Sequence, residues 1–492
     1  MKENQAVDIY GKPYNRTLLV AVLLIGTFCT VLNQTLLTTA FPTLMKTFDI
    51  TAATVQWLTT GFLLVNGIMI PISAWMMNKF TSRALYLWSM TVFLIGTIMC
   101  FAATNFPMLL AGRLVQAAGV GISIPLLQNI MLTIFPPEKR GAALGATGIV
   151  IGLAPALGPT LSGWIIDNYS WRDLFGMIIP IVIIVLILAF FMMKSVIPLS
   201  NPAIDIPSIL MSSVGFGSLL YAFSSVGDDG WGSTKVWSFM IVGIVVITIF
   251  SIRQLKLDTP FLELRVFKSP IFTIASILSG VTNMALIGAE MVLPLYIQNI
   301  RGESAFHSGL MLLPGALALG VMMPITGIIF DKIGAKRLAI TGMFLLTAAT
   351  APFMFLTETT PVIYIIVLYG VRMFAISMVM MPVTTSGMNA LPQKLVTHGT
   401  AVNNTFRQVA SSVGTAILIS VLTNRINDSM PKKAVLDATP LAYKAQATSA
   451  MLDGYHAAFL VAVGFSVVGL FIAFFISSKV TATKAEKEAI AK

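Results

Sequence analysis

Asp173-Leu-Phe-Gly-Met-Ile-Ile-Pro-Ile-Val-Ile-Ile-Val-Leu-Ile-Leu-Ala-Phe-Phe-Met-Met193 is an apolar run whose only charge sits at its first position. A helix of that length spans about 30 Å, the thickness of the hydrocarbon core of a bilayer. The run has no polar face to offer water, so a soluble amphipathic helix is excluded. Working outward, stretches of the same kind lie at 17–41, 54–77, 84–103, 107–130, 141–166, 206–226, 234–252, 270–298, 306–330, 338–356, 361–386, 399–423 and 455–478. The stretches 206–226 and 399–423 are the richest in Gly, Ser and Thr. The expected fold class is an all-α integral membrane protein with about 14 spanning helices.

Composition agrees. Of 492 residues, 56% are hydrophobic and 10% charged, against about 25% charged in soluble domains. The mean hydropathy is +0.87. The net charge of +11 does not signal a nucleic-acid partner, because the basic residues are scattered singly between apolar stretches and form no stripe. Most of them fall on the side that holds both termini and the even-to-odd loops. The positive-inside rule then makes both termini cytoplasmic. The first stretch follows Lys12 and Arg16 and outruns a signal peptide's apolar region, so it reads as a first span. Cys29 and Cys100 lie inside apolar stretches and read as free buried thiols. No metal site is expected, and no cofactor or enzyme: the chain carries no H-E-x-x-H, no G-x-S-x-G and no Cys-His constellation. With no G-x-x-x-x-G-K-[ST], energy must come from an ion gradient or from the solute's own gradient. The segment 424–454 reads as the largest outside loop. His307, His398 and His456 lie near span ends and read as loop or interface residues.

Two short loops repeat. Ala74-Trp-Met-Met-Asn78-Lys79-Phe-Thr81-Ser-Arg83 follows the second stretch, and Gly327-Ile-Ile-Phe-Asp331-Lys332-Ile-Gly334-Ala-Lys336-Arg337 follows the tenth. The second copy resembles the loop signature of the major facilitator superfamily, G-x-x-x-D-[RK]-x-G-x-[RK]-[RK]. Glycines there permit close approach and a sharp turn. The acid suits a neighbouring helix N-terminus, and the bases suit a charge gate. The first copy departs at Ala74, Asn78 and Thr81, so the second is expected to matter more. The resemblance implies two six-helix pseudo-symmetric bundles plus two extra helices between them: an N-terminal bundle over 17–196, additional helices over 206–252 and a C-terminal bundle over 270–478, flanked by cytoplasmic 1–16 and 479–492.

Further strings resemble one branch. Gly112-Arg113-Leu-Val-Gln116-Ala-Ala-Gly119-Val-Gly121 is similar to R-x-x-Q-G-x-G, whose arginine the family links to proton coupling. Gly145, Ala154, Gly158-Pro159, Ser162 and Gly163 follow the spacing of the antiporter signature G-x8-G-x3-G-P-x2-G-G, in which small residues allow close helix packing. Leu32-Asn33-Gln34-Thr35, Gln56-Trp57, Leu293-Pro294-Leu-Tyr296 and Asn404-Thr-Phe-Arg407-Gln408 also fit. Together they resemble the 14-helix drug:proton antiporters of the EmrB/QacA type, and within these the LmrB-like branch.

That resemblance implies a bacterial cell-membrane transporter that exports small amphipathic or cationic drugs against protons by alternating access, as a monomer in the bilayer. The relatives' first-helix acid is Asn33 here, which carries no proton, so another acid must serve. Glu290, alone and deep in its span, is the expected carrier, with Arg113 and Arg372 as deep cations beside it. Expected cavity residues are Asn33, Gln34, Trp57, Phe62, Asn66, Gln116, Met373 and Met381; flexible thioethers suit a promiscuous pocket. Expected gate and conformational residues are Gly327, Asp331, Lys332, Gly334, Arg337, Gly145, Gly158, Pro159 and Gly163. Two other readings remain open: a dedicated exporter of one endogenous metabolite, lipid or peptide, and a membrane sensor or scaffold that lost transport.

Overall fold

Caps and prolines set where each helix begins. Asn15, Thr51, Thr81, Asn105, Asp205, Ser269 and Ser304 each accept a backbone N–H from the first turn that follows, meeting donors that otherwise lack a partner. A computed structural model describes residues 6–37, 40–200, 202–431 and 439–477. Its first seven long helices are α1 (Arg16–Thr35), α2 (Ala52–Lys79), α3 (Ser82–Phe101), α4 (Phe106–Ile134), α5 (Arg140–Asn168), α6 (Ile178–Met192) and α7 (Ile206–Asp229). The remaining seven are α8 (Thr234–Lys256), α9 (Pro270–Asn299), α10 (Ala305–Ile333), α11 (Ala335–Thr350), α12 (Val362–Asn389), α13 (Val396–Ser429) and α14 (Pro440–Ala473). No strand occurs among the described residues, and 14 helical segments are long and apolar enough to cross a membrane.

Two sequence boundaries change. The first span ends at Thr35, and a separate helix, Phe41–Phe48, follows it. The 424–454 segment is mostly helical: α13 runs on to Ser429 and α14 starts at Pro440. Leu441-Ala-Tyr-Lys-Ala-Gln-Ala lies within α14 because it is rich in good helix formers despite its polarity; 432–438 lie outside the described residues.

Packing separates the helices into groups. Within the first, α1 lies against α4, α5 and α6, and α4 against α2 and α3. Within the second, α9 lies against α12, α13 and α14, and α12 against α10 and α11. The groups meet along two main seams, α5 with α10 and α2 with α13. The hairpin α7–α8 covers the second seam through α7. It is tied down where Asp205 accepts from Arg253 at 3.0 Å and Gln254 donates to Ser208 at 2.6 Å.

Lipid tails supply no hydrophobic drive between helices, so close backbone contact must hold them. A Cβ at Gly96 would lie 2.5 Å from the Gln116 nitrogen and 2.7 Å from the Gly112 oxygen, both backbone atoms that cannot step aside. Gly96→Val therefore forces α3 off α4. The expected cost is about 1–3 kcal/mol, read as a lowered thermal unfolding midpoint in detergent. Gly464→Val is the control, since nothing lies within 4 Å of its added Cβ, and it should leave the midpoint unchanged.

Candidate functional site

Among the described residues Arg113, Arg372 and Arg407 are buried deep within the spans and Arg140 is buried at the start of α5; Arg113 and Arg372 are clamps. Arg113 on α4 donates through Nη1 to the Asn33 carbonyl (3.3 Å), the Asn33 side-chain oxygen (2.5 Å) and Gln116 Oε1 (3.0 Å). Its guanidinium carbon sits 4.2 Å from the centre of the Phe62 ring, a cation–π contact strengthened by the lack of water. Gln116 is held in turn by donating to Thr97 at 2.8 Å. Arg113 thus ties α1, α2 and α4 together. Arg372 on α12 repeats the design: it donates to the Ala285 carbonyl on α9 and to Thr350 on α11 at 3.2 Å.

The α5–α10 seam carries the gate motif. Asp331 lies near the end of α10 and accepts from the Gly141 and Ala142 N–H groups, at 3.0 and 3.1 Å. These are unpaired donors in the first turn of α5, at the positive end of its dipole. The carboxylate reaches them because Gly327 and Gly141 carry no side chains and their backbones meet. Gly334, at φ +79°, makes the turn into α11 in the left-handed region. Lys332 and Arg337 are exposed and form no ion pair among the described residues. The charge pairing expected of them is replaced by the contact of one acid with backbone N–H groups.

Around this point the two groups are laced together. Arg140 donates to Asn389 (3.1 Å) and Gln393 (2.8 Å). Asn129 donates to Thr397 at 2.9 Å, and Asn404 to Gln128 at 2.7 Å. Asn78 and His398 lie 3.0 Å apart, and His398 Nδ1 also accepts the Glu263 N–H. Of the loop and interface roles open to it, His398 takes the interface one, as a bridge between the groups. All these bonds lie toward the face where residues 6–15 meet the end of α6, here termed the terminal face.

Above the lacing is a chamber of about 120 Å3 between the groups, lined by Gln34, Asn66, Asn283, Asn404, Arg407 and Gln408 with apolar residues of α2 and α4. A hollow of about 520 Å3 below it is bounded by Asn78, Asn129, Thr397 and His398. The lacing is the wall between the two. Among expected cavity residues, Gln34 and Asn66 line the chamber. The others do not. Asn33, Phe62 and Gln116 are consumed by the Arg113 clamp. Trp57 stacks on Tyr221 of α7, ring centres 5.8 Å apart. Met373 is buried, and Met381 sits against Thr147 where α12 crosses α5. Bulky apolar side chains found better-packed places than a polar hollow. Gly145 meets the Met323 carbonyl of α10 at 2.7 Å from an added Cβ, Gly158 abuts Thr35 of α1, and Gly163 faces Phe306. The side chain of Pro159 lies outside the described residues.

Glu290 is seven residues beyond Asn283 on α9, so both share one stripe of the helix, about 10.5 Å apart. Its side chain is exposed and feels the charge of Arg372 on α12. It has no ion-pair partner among the described residues. The reading missed Arg407, whose signal was present: a third deep arginine within 399–423. Among the described residues no carboxylate lines the chamber, and Arg407 is its one charged side chain.

Two groups of helices meeting along two seams around a polar chamber define a transporter architecture. The description of the Major Facilitator Superfamily matches residues 23–415, and the chain belongs to that family. It is 49% identical over 467 residues to the uncharacterized MFS-type transporter YcnB of Bacillus subtilis, covering 95% of this chain and 96% of that one. It is 40% identical over 461 residues to the lincomycin resistance protein LmrB of Listeria monocytogenes, covering 93% and 96%. The crystal structure of the human organic anion transporter MFSD10 has the same fold, with a TM-score of 0.63 at 15% identity over 93% of this chain and 99% of that one.

Asp331 should decide how tightly the terminal face closes. Losing charge-assisted hydrogen bonds costs about 1.5–3 kcal/mol. In a Cys29→Ser, Cys100→Ser background, Asp331→Ala should raise the labelling rate of Thr147→Cys by N-ethylmaleimide roughly tenfold or more in detergent. An unchanged rate would mean that the seam holds without the carboxylate.

Proposed function

We propose that this protein exports amphipathic drugs in exchange for protons, by alternating access. One observation carries the reading: a polar chamber between the two groups is walled off from the terminal face by hydrogen bonds between the groups, while an intramembrane acid, Glu290, lies on the same α9 stripe above it. The likeness to LmrB over nearly the whole of both chains supports a drug substrate. The spacing of Gly145, Gly158 and Gly163 supports export.

In this account the terminal face is cytoplasmic, as the distribution of Lys and Arg suggests. The structure is then the state closed to the cytosol. Opening it breaks the Asp331 contact and the amide bonds around it, and the α5–α10 seam acts as the hinge. A proton arriving from outside lands on Glu290 and removes its attraction for Arg372. Release of that proton to the cytosol in the other state restores the attraction. Arg113 and Arg372 stay in their clamps and set the local field without moving protons themselves. The chamber's small volume accepts part of a drug, and the rest must lie toward the opposite face, since drug sites commonly occupy about 300–1,000 Å3.

The test is efflux from energised cells of a chemically mixed panel: the anion nalidixate, the neutral chloramphenicol and the cation ethidium. Wild type should export at least two of the three, and a protonophore should abolish export. Glu290→Gln should slow it by roughly 10²-fold or more, the scale of losing a positioned proton-transfer group. Protonophore-sensitive export that survives Glu290→Gln would remove Glu290 as carrier. Export of none of the panel by a well-expressed protein would favour the dedicated exporter of a single metabolite, lipid or peptide.

A further inference from the structure

Arg407 is the buried cation that the clamps do not explain. It is 9% exposed, lies on α13 and lines the chamber. Arg113 and Arg372 each hold good oxygen acceptors and leave one nitrogen unpaired, but neither lines the chamber. Arg407 holds only the Asn283 side-chain oxygen at 3.5 Å and the Met380 sulfur at 3.9 Å, both at the limit of hydrogen bonding. Its Nε is buried with no acceptor, and no carboxylate pairs with it among the described residues. Across the chamber, Gln34 Nε2 is a second buried donor with no acceptor. A guanidinium held in the membrane interior without a counter-charge is costly, and the cost falls only when an acceptor arrives.

The neighbours are arranged to keep it so. The Asn283 amide donates to the Arg407 carbonyl and to Ser411, which turns its oxygen toward Arg407 and fixes the side chain. Asn404, one turn before Arg407, spends its amide on Gln128 and on the Thr400 carbonyl. Arg407 and Gln34 both line a hollow of about 120 Å3, room for roughly four waters or one small head group.

We propose that the chamber is an oxyanion site: the substrate is an amphipathic organic anion whose carboxylate or phosphate group seats on Arg407 and Gln34, with its apolar body extending toward the opposite face. This rests on the reading of the protein as a drug exporter and narrows its substrates. Arg is suited to the role because its planar fork matches an oxyanion bidentately. Asn404 couples the site to the gate, because it both lines the chamber and bonds Gln128 of the other group. An occupant that draws on Asn404 loosens the wall beneath it, so binding and opening are linked.

The test is equilibrium binding to the purified full chain in detergent, with two isosteric probes: 1-naphthaleneacetate and its neutral 1-naphthaleneacetamide. Dihexanoyl phosphatidylglycerol serves as a third probe that distinguishes a lipid phosphate from a soluble carboxylate. Wild type should prefer the acetate to the acetamide by roughly tenfold or more. Arg407→Gln should bring the ratio to about one without weakening the acetamide. Arg407→Lys, which keeps the charge and guards against a folding defect, should restore part of the preference. Stronger binding of the lipid than of the acetate, lost in Arg407→Gln, would keep the oxyanion site and assign it to a lipid head group. Equal binding of acetate and acetamide by wild type, or a preference that survives Arg407→Gln, would overturn the proposal; so would no binding of any probe, which leaves the chamber to water. Panel efflux separates the two readings: drug export with no anion preference sinks the oxyanion site alone, and anion preference without drug export sinks the multidrug reading alone.

Discussion

The contact on which the structure depends is that of the Asp331 carboxylate with the Gly141 and Ala142 N–H groups. Two rigid groups of helices have to be held together and still part, and lipid gives no hydrophobic force to do the holding. A carboxylate on the positive end of a helix is strong when the backbones meet and worth little once they separate by a few ångströms. That steepness suits a latch. It also explains why the place needs glycine: any side chain on Gly327 or Gly141 would collide with the facing backbone and hold the acid away. The amide bonds of Asn129 and Asn404 with the other group add breadth to the closure but join neutral partners, so each is individually weaker; Arg140 adds charged donors to the amides of Asn389 and Gln393.

Within each group the opposite demand holds, and arginine meets it. Arg113 and Arg372 occupy corresponding places and each bonds a backbone carbonyl of the helix that opens its group, Asn33 on α1 and Ala285 on α9. A guanidinium with several oxygen acceptors in a dry interior is hard to pull apart, because removing it leaves buried groups unpaired. Each half therefore moves as a body. Asn33 serves as a neutral acceptor for Arg113, and Glu290 has no ion-pair partner among the described residues. All three deep arginines keep one buried nitrogen without a partner; what separates Arg407 is that its contacts are long and that it lines the chamber.

Much of the fold was legible because a spanning helix is a property of a single segment. Length and apolarity marked all 14 spans, and the glycine and aspartate of the 327–337 loop announced a close approach and a helix terminus. The candidate site was legible only in part. Which face of a helix meets which neighbour is a tertiary fact, so Trp57 went to α7 and Met381 to the α5–α12 crossing. Phe62 and Gln116 went to Arg113. The polar residues Gln34 and Asn66 line the chamber, since amides in a span have few other places to go. Arg407 stood out only as part of the Asn404-Thr-Phe-Arg407-Gln408 string: in a stretch rich in Ser, Thr and Asn, nothing marked it as facing the chamber. The long 424–454 segment misled because its polarity resembles a loop while its Ala, Leu, Lys and Gln favour helix.

The central claim is that the two groups rock as bodies about the α5–α10 seam, so that closing one face opens the other. Double electron–electron resonance on two pairs of spin labels tests it directly. One pair, at Glu138→Cys and Lys394→Cys, reports on the terminal face; the other, at Asp167→Cys and Glu358→Cys, reports on the opposite face. All four positions are exposed, and the native cysteines are replaced by serine. On shifting the pH across the range in which transport is active, the account predicts that one distance lengthens as the other shortens, in the same fraction of molecules. Distances that change together, or a terminal-face distance that never changes, would contradict it.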